Sequence, residues 1–164
     1  MNNKKMEWVF GLLRLGMGWI FLWAFLDKVF GLGFATASNK SWLAGVSPTA
    51  GFLANAVHGP FVSFYHGLSG MPLADWMFML GLLFIGLSLI LGIFVRLGSL
   101  AAMLLLFLMY TAVGLPPVNN PLLDEHIIYI LIMIGFLFTS PGKYFGFGNI
   151  WARTSLVQKF RIFE

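Results

Sequence analysis

Residues 8–30 read WVFGLLRLGMGWIFLWAFLDKVF, a run that is apolar over a bilayer's thickness yet carries Arg14 inside it and Asp27-Lys28 near its far end. At ~1.5 Å per residue such a helix is roughly 35 Å long, enough to cross ~30 Å of hydrocarbon. Arg14 then lies about 9 Å beyond Trp8, inside the hydrocarbon near one face, where an unpaired guanidinium costs ~2.5 kcal/mol or more. The rest of the chain has to supply its compensation.

The whole sequence has the same character. It is 59% hydrophobic, 17% aromatic and 10% charged over 164 residues, against about 25% charged in a soluble domain. This composition predicts a single all-α integral membrane domain spanning residues 1–164, with no second domain or linker. Without cysteine, thiol catalysis, disulfides and thiolate metal sites are excluded within the chain. The net charge of +4 points to membrane sidedness and not to nucleic acid, because of where the basic residues fall. The first apolar run is too long for a signal-peptide core and lacks a small-residue cleavage site, so it is expected to be retained.

Three further apolar runs follow. Residues 76–95 are uncharged and preceded by Asp75, which reads as a helix cap, and Arg96 closes them. Residues 97–115 form a tight hairpin with that run and end at Pro116-Pro117. Only 127–139 is then free of charge, which is too short to cross, so the last span is extended to 121–140 with Asn120 as cap and Pro121 at the first helical position. The expected fold is a four-transmembrane-helix bundle with spans of about 8–30, 76–95, 97–115 and 121–140. Gly81, Gly86 and Gly92 read as close helix packing and the aromatic residues as interface belts.

The connection 31–74 is too long to lack structure. Ser47-Pro48 opens a short helix that Gly59-Pro60 stops, and Phe61, Phe64, Tyr65 and Leu68 recur at the spacing of one apolar stripe. Asn55, His58, Ser63 and His66 interrupt both pieces, which therefore read as short interfacial helices in an outer loop. The tail, 142–164, alternates bases with apolar residues as a basic amphipathic segment on a membrane surface would. Four spans put both termini on one side with Lys4, Lys5, Arg96, Lys143, Arg153, Lys159 and Arg161, seven of the ten basic residues. The positive-inside rule makes that side cytoplasmic and the location a plasma (inner) membrane.

That topology draws Asp27, Lys28, Asp124, Glu125 and His126 to the outer end, where ionisable groups pair or line a polar cavity. Lys28 against Asp124 or Glu125 is the expected pair. The same residues also read as interfacial charges, with the carboxylates favoured by a helix N-terminus and Lys28 reaching outward to water. Asp124, Glu125 and His126 hold the right atoms for zinc or iron, but adjacent residues fan out around a helix, so no metal is expected. A single histidine within a span argues against a bis-histidine haem. For Arg14 the partners on offer are Glu7, about two turns earlier, lipid phosphate, the carbonyls at the cytoplasmic ends of the second and fourth helices, or a quinone headgroup tethered by the guanidinium.

An arginine in the first span (Arg14), Asp27-Lys28 followed by Gly31-Leu32-Gly33-Phe34-Ala35-Thr36, the Gly81–Gly92 span closed by Arg96, and Asn120-Pro121 with Asp124-Glu125-His126 together resemble the DoxX-like membrane family. That family includes the DoxD membrane subunit of thiosulfate:quinone oxidoreductase. The resemblance implies a four-helix membrane subunit that passes electrons from thiosulfate or another small sulfur compound to a quinone, beside a second membrane or outer-face subunit or as a homo-oligomer. In that setting a buried Glu125 with Asp124, His126, Asp27 and Lys28 would handle protons, and Arg14 would hold the quinone. The rival expectations are a non-enzymatic scaffold or assembly factor, with the aromatic loop as its docking surface, and a small-solute carrier.

Overall fold

A computed structural model of the chain describes residues 3–113, 115, 117 and 121–163, with side chains from residue 5 onward. Among the described residues every regular element is helical. Helix α1, Asn3–Phe30, runs unbroken for 28 residues, with no proline to stop it and in spite of Gly11, Gly16 and Gly18. It ends at Gly31, which turns left-handed (φ 65°) and donates its N–H to the Asp27 carbonyl at 2.8 Å. Stretches Lys5–Phe30, Pro72–Leu91 and Val95–Ala112 are each long and apolar enough to cross a membrane, which makes this a multi-pass membrane protein.

The segment between the first two of these spans is folded. Tight helical turns at Ser38–Lys40 and Trp42–Ala44 are followed by the short helices α2, Ala50–Asn55, and α3, Val62–Leu68. The Ser47 hydroxyl accepts from Ala50 N–H at 3.0 Å, so Ser47 does cap the turn that Pro48 opens. Leu53, Val57 and Tyr65 gather against Ala112. The Tyr65 hydroxyl donates to the Leu108 carbonyl at 2.9 Å, and His58 N–H donates to Ala112 O at 3.2 Å. These bonds set the rotation of α3 and split the expected stripe: Tyr65 is buried, whereas Phe61 and Phe64 are 46% and 59% exposed.

Helix boundaries depart from the sequence reading in consistent ways. Helix α4 is Pro72–Leu91, four residues earlier than expected at both ends; Met71 precedes Pro72 as the cap, and Asp75 sits inside the first turn. It stops at Gly92, left-handed at φ 74°, well before Arg96. Helix α5, Val95–Ala112, therefore contains Arg96 in its opening turn. Helix α6 is Glu125–Thr139, because Asp124 takes the cap with an extended backbone and accepts from Ile127 N–H at 3.2 Å. The expected cap, Asn120, and the expected terminator, Pro116, lie outside the described residues. At 15 residues α6 is about 22 Å long, shorter by itself than the hydrocarbon core.

Neighbours in the chain are neighbours in space: α1 packs against α4, α4 against α5, and α5 against α6. Their shared core is Met17 and Phe21, Met79, Ile85 and Leu89, Ala102 and Leu106, and Met133 and Phe136. Small residues let the backbones approach, as lipid-embedded helices require. A Cβ on Gly86 would come within 2.8 Å of Leu22 N, whereas one on Gly81 would meet nothing within 4 Å. Beyond α6 the tail folds back as a tight turn, Pro141–Lys143, then α7, Gly148–Trp151, and α8, Ser155–Lys159, ending in the turn Arg161–Phe163.

The glycines give a paired test. Gly86→Ala should lower the unfolding temperature in detergent, with a loss of about 1–3 kcal/mol from overpacking. Gly81→Ala should be neutral or stabilising by up to about 1 kcal/mol, as alanine replaces glycine in a helix. Equal effects from the two would mean that α1 and α4 do not meet backbone to backbone at Leu22.

Candidate functional site

Arg14 is wholly buried, on the face of α1 that meets the end of α4. The last carbonyls of α4 have no intrahelical partner, and Arg14 takes two of them, its Nη1 donating to Leu89 O and to Ile90 O at 3.1 Å. The chain after α6 supplies the rest: Nε donates to Pro141 O at 3.2 Å, and Nη2 to Tyr144 O and Phe145 O at 2.8 and 3.1 Å. A guanidinium has five N–H groups, and here all five have an acceptor. The negative end of the α4 dipole adds to the compensation.

The segment around the guanidinium is shaped for this purpose. Ser140 and Phe145 sit left-handed, at φ 44° and 55°, which non-glycine residues seldom adopt, and the intervening carbonyls turn inward between them. Gly92 and Gly142 touch through their backbones, so that a Cβ on Gly142 would fall 2.4 Å from Gly92 O. A Cβ on Gly146 would lie 3.0 Å from Arg14 Nη2. Among the partners the sequence offered, the carbonyls at the helix ends hold Arg14. Glu7 instead faces Tyr144, whose phenol is pushed above its usual range by burial and by a hydrogen bond to that carboxylate. All five N–H groups of the guanidinium are thus directed at backbone carbonyls.

The end of the bundle that holds Asp27 and Asp124 is built differently from the expected cluster. Asp27, 2% exposed, turns back into its own loop, where its two carboxylate oxygens accept from Phe34 N–H at 3.2 Å and Ala35 N–H at 3.0 Å. Asp75 does the same for the next loop, accepting from Ser47 Oγ at 2.8 Å and Thr49 Oγ1 at 2.5 Å. Sequence reasoning saw Asp75 only as a helix cap. The hydroxyls of Ser47 and Thr49 were the signal that it had acceptor work elsewhere.

Asp124 caps α6 with one oxygen and meets His126 Nδ1 with the other at 2.8 Å. Because Asp124 is extended and outside the helix, its side chain curls over the first turn. One ligand atom each from Asp124, Glu125 and His126 thus lies within 4.8 Å of the others, where a fan of side chains was expected. Glu125 is exposed, so the expected burial of its carboxyl is not met.

Lys28 has neither expected partner: among the described residues no ion pair joins it to Asp124 or Glu125. Its ammonium lies 5.9 Å from the centroid of the Phe78 ring on α4, half-buried. A cation over an aromatic face gains about 0.5–2 kcal/mol. Among the described residues no hydrogen bond uses the ammonium's N–H groups.

Arg14→Lys keeps the charge but offers three donors for five carbonyls. Each buried carbonyl left unpaired costs about 1–3 kcal/mol, so the variant should lose at least ~2 kcal/mol in detergent unfolding; a loss under ~0.5 kcal/mol would overturn this account of the guanidinium. For Lys28→Met with Glu125→Gln the effects on stability should add, with a coupling below ~0.5 kcal/mol. A larger coupling in the double-mutant cycle would restore the ion pair.

Compared with known proteins, the chain matches no family model, no curated protein and no solved structure.

Proposed function

We propose that this chain is a four-pass inner-membrane protein with both termini cytoplasmic, serving as the membrane subunit of a quinone-linked oxidoreductase that acts on thiosulfate or another small sulfur compound. Helix α6 lies along α5, and its capped flanks on either side extend its apolar length toward the fourth crossing. The DoxX-like motif residues support the reaction class. The observation that carries the site is Lys28, a half-buried ammonium on an aromatic ring with no carboxylate oxygen within 4 Å among the described residues.

A quinone headgroup fits this donor set. Lys28 can donate to a carbonyl oxygen, and the Phe78 ring offers a flat apolar wall beside it. A quinone bound there would supply the redox chemistry, taking up two electrons and two protons. The electrons come from a partner subunit, since the chain has no cysteine for a thiolate relay. At the same end of the bundle, Asp124 holds His126 Nδ1, which leaves Nε2 to pass a proton taken from outer water. Arg14 has no part in this reading beyond holding the opposite end.

The second reading is a scaffold for another membrane protein. It is favoured by Phe61 and Phe64, which stay exposed on a helix that is itself fixed to the bundle.

Titrating purified protein in nanodiscs with a short-chain quinone and following tryptophan fluorescence separates the two. The quinone reading expects saturable quenching in the native chain, weakened about tenfold by Lys28→Met, the scale of one hydrogen bond from a charged group, and unchanged by Lys40→Gln on the exposed loop. Absence of saturation, or an affinity indifferent to Lys28, would sink it.

A further inference from the structure

The folded tail carries a second, independent feature. Between 142 and 164 the sequence has four bases, Lys143, Arg153, Lys159 and Arg161, against one acidic residue, Glu164. All four are exposed. Beside them stand apolar side chains that the fold leaves uncovered: Ile150 is 69% exposed, Phe147 58% and Phe160 48%. An amphipathic segment in water would turn these residues inward, and the tail has had that opportunity, since it already buries Val157.

The tail is also fixed in place. Phe147 N–H donates to Leu91 O at 2.8 Å, and the Trp151 ring packs 4.6 Å from Phe94 in the α4–α5 turn. Trp151 Nε1 donates to Phe163 O at 2.6 Å, which brings the last turn back against the same helix ends. Bases and bare apolar groups are thus carried on one fixed segment beside the α4–α5 turn.

We propose that this segment is a docking surface for anionic phospholipid, with Arg153, Lys159 and Arg161 facing the headgroups and Ile150 and Phe160 entering the acyl boundary. Charge decides among the lipids. A zwitterionic headgroup offers no net attraction, whereas each base near an anionic surface contributes about fivefold in affinity at low salt. Guanidinium forks match phosphate oxygens in pairs. The proposal stands apart from the quinone reading and does not depend on it.

The test uses the full chain in bilayers with spin-labelled phosphatidylglycerol or phosphatidylcholine, reading the fraction of label immobilised on the protein. Phosphatidylglycerol should be preferred several-fold, and ~0.5 M NaCl, by shortening the Debye length to a few ångströms, should bring the ratio toward unity. The combined variant Arg153→Gln, Lys159→Gln, Arg161→Gln should do the same at low salt, while the charge-preserving Arg153→Lys, Arg161→Lys keeps the preference. A native chain without preference, one indifferent to salt, or a neutralised chain that retains the preference would overturn the proposal. A tail that instead binds an acidic protein segment would show itself by the first of these outcomes.

Discussion

A guanidinium inside hydrocarbon needs an acceptor for each of its five N–H groups, and in this protein that requirement organises one whole end of the bundle. Arg14 collects carbonyls from the end of α4 and from the segment after α6, the two places where backbone acceptors have run out of helical partners. The charge and the orphan carbonyls would each be costly alone. Brought together they cancel, and the geometry of the surrounding chain follows: the left-handed Gly92, the contact of Gly92 with Gly142, and the inward carbonyls between Ser140 and Phe145.

The opposite end follows a related rule with the sign reversed. Asp27, Asp75 and Asp124 each stand at a helix end and give their oxygens to loop N–H groups, hydroxyls or a helix cap. These are three of the six acidic residues in the chain. Carboxylates that from a distance read as a reactive cluster serve to fix loops, and at this end Lys28 makes no ion pair among the described residues. A functional reading of this end therefore rests on the ammonium and on the Asp124–His126 pair, and much less on the acidic residues as a group.

Much of this was legible in the sequence, for reasons that can be stated. The apolar lengths of α1, α4 and α5 identify spanning helices because hydrocarbon thickness is a simple ruler. Ser47 was readable as a cap because its chemistry is local. The ends of α4 were misplaced because charge was used as the boundary signal, and the start of α6 because the bilayer's length and the Asn120-Pro121 cap signal drew it back to residue 121. Gly92 and Asp124 ended and began those helices through backbone conformation and capping, which are stronger local constraints. Helix-end carbonyls were one of several partners the sequence offered Arg14, beside Glu7, lipid phosphate and a quinone, and nothing in the side chains of Tyr144 and Phe145 advertises a carbonyl turned inward. The lone position of Lys28 was hidden by a plausible pairing with Glu125. Only the fold shows that the Asp124 carboxylate is committed to capping α6 and to His126, and that Glu125 is exposed.

The span of the Arg14 contacts also bears on how the protein is made. Its acceptors at Leu89 and Ile90 lie 75 and 76 residues downstream, and those at Tyr144 and Phe145 lie 130 and 131 downstream. Because synthesis runs from the N-terminus, α1 reaches the membrane with its guanidinium unanswered, and water, lipid phosphate or the insertion machinery has to hold it until the end of the chain emerges. A nascent chain cut short before Tyr144 keeps an arginine with donors to spare. The buried charge thereby distinguishes a finished molecule from an unfinished one, and gives membrane quality control a physical mark by which to tell them apart.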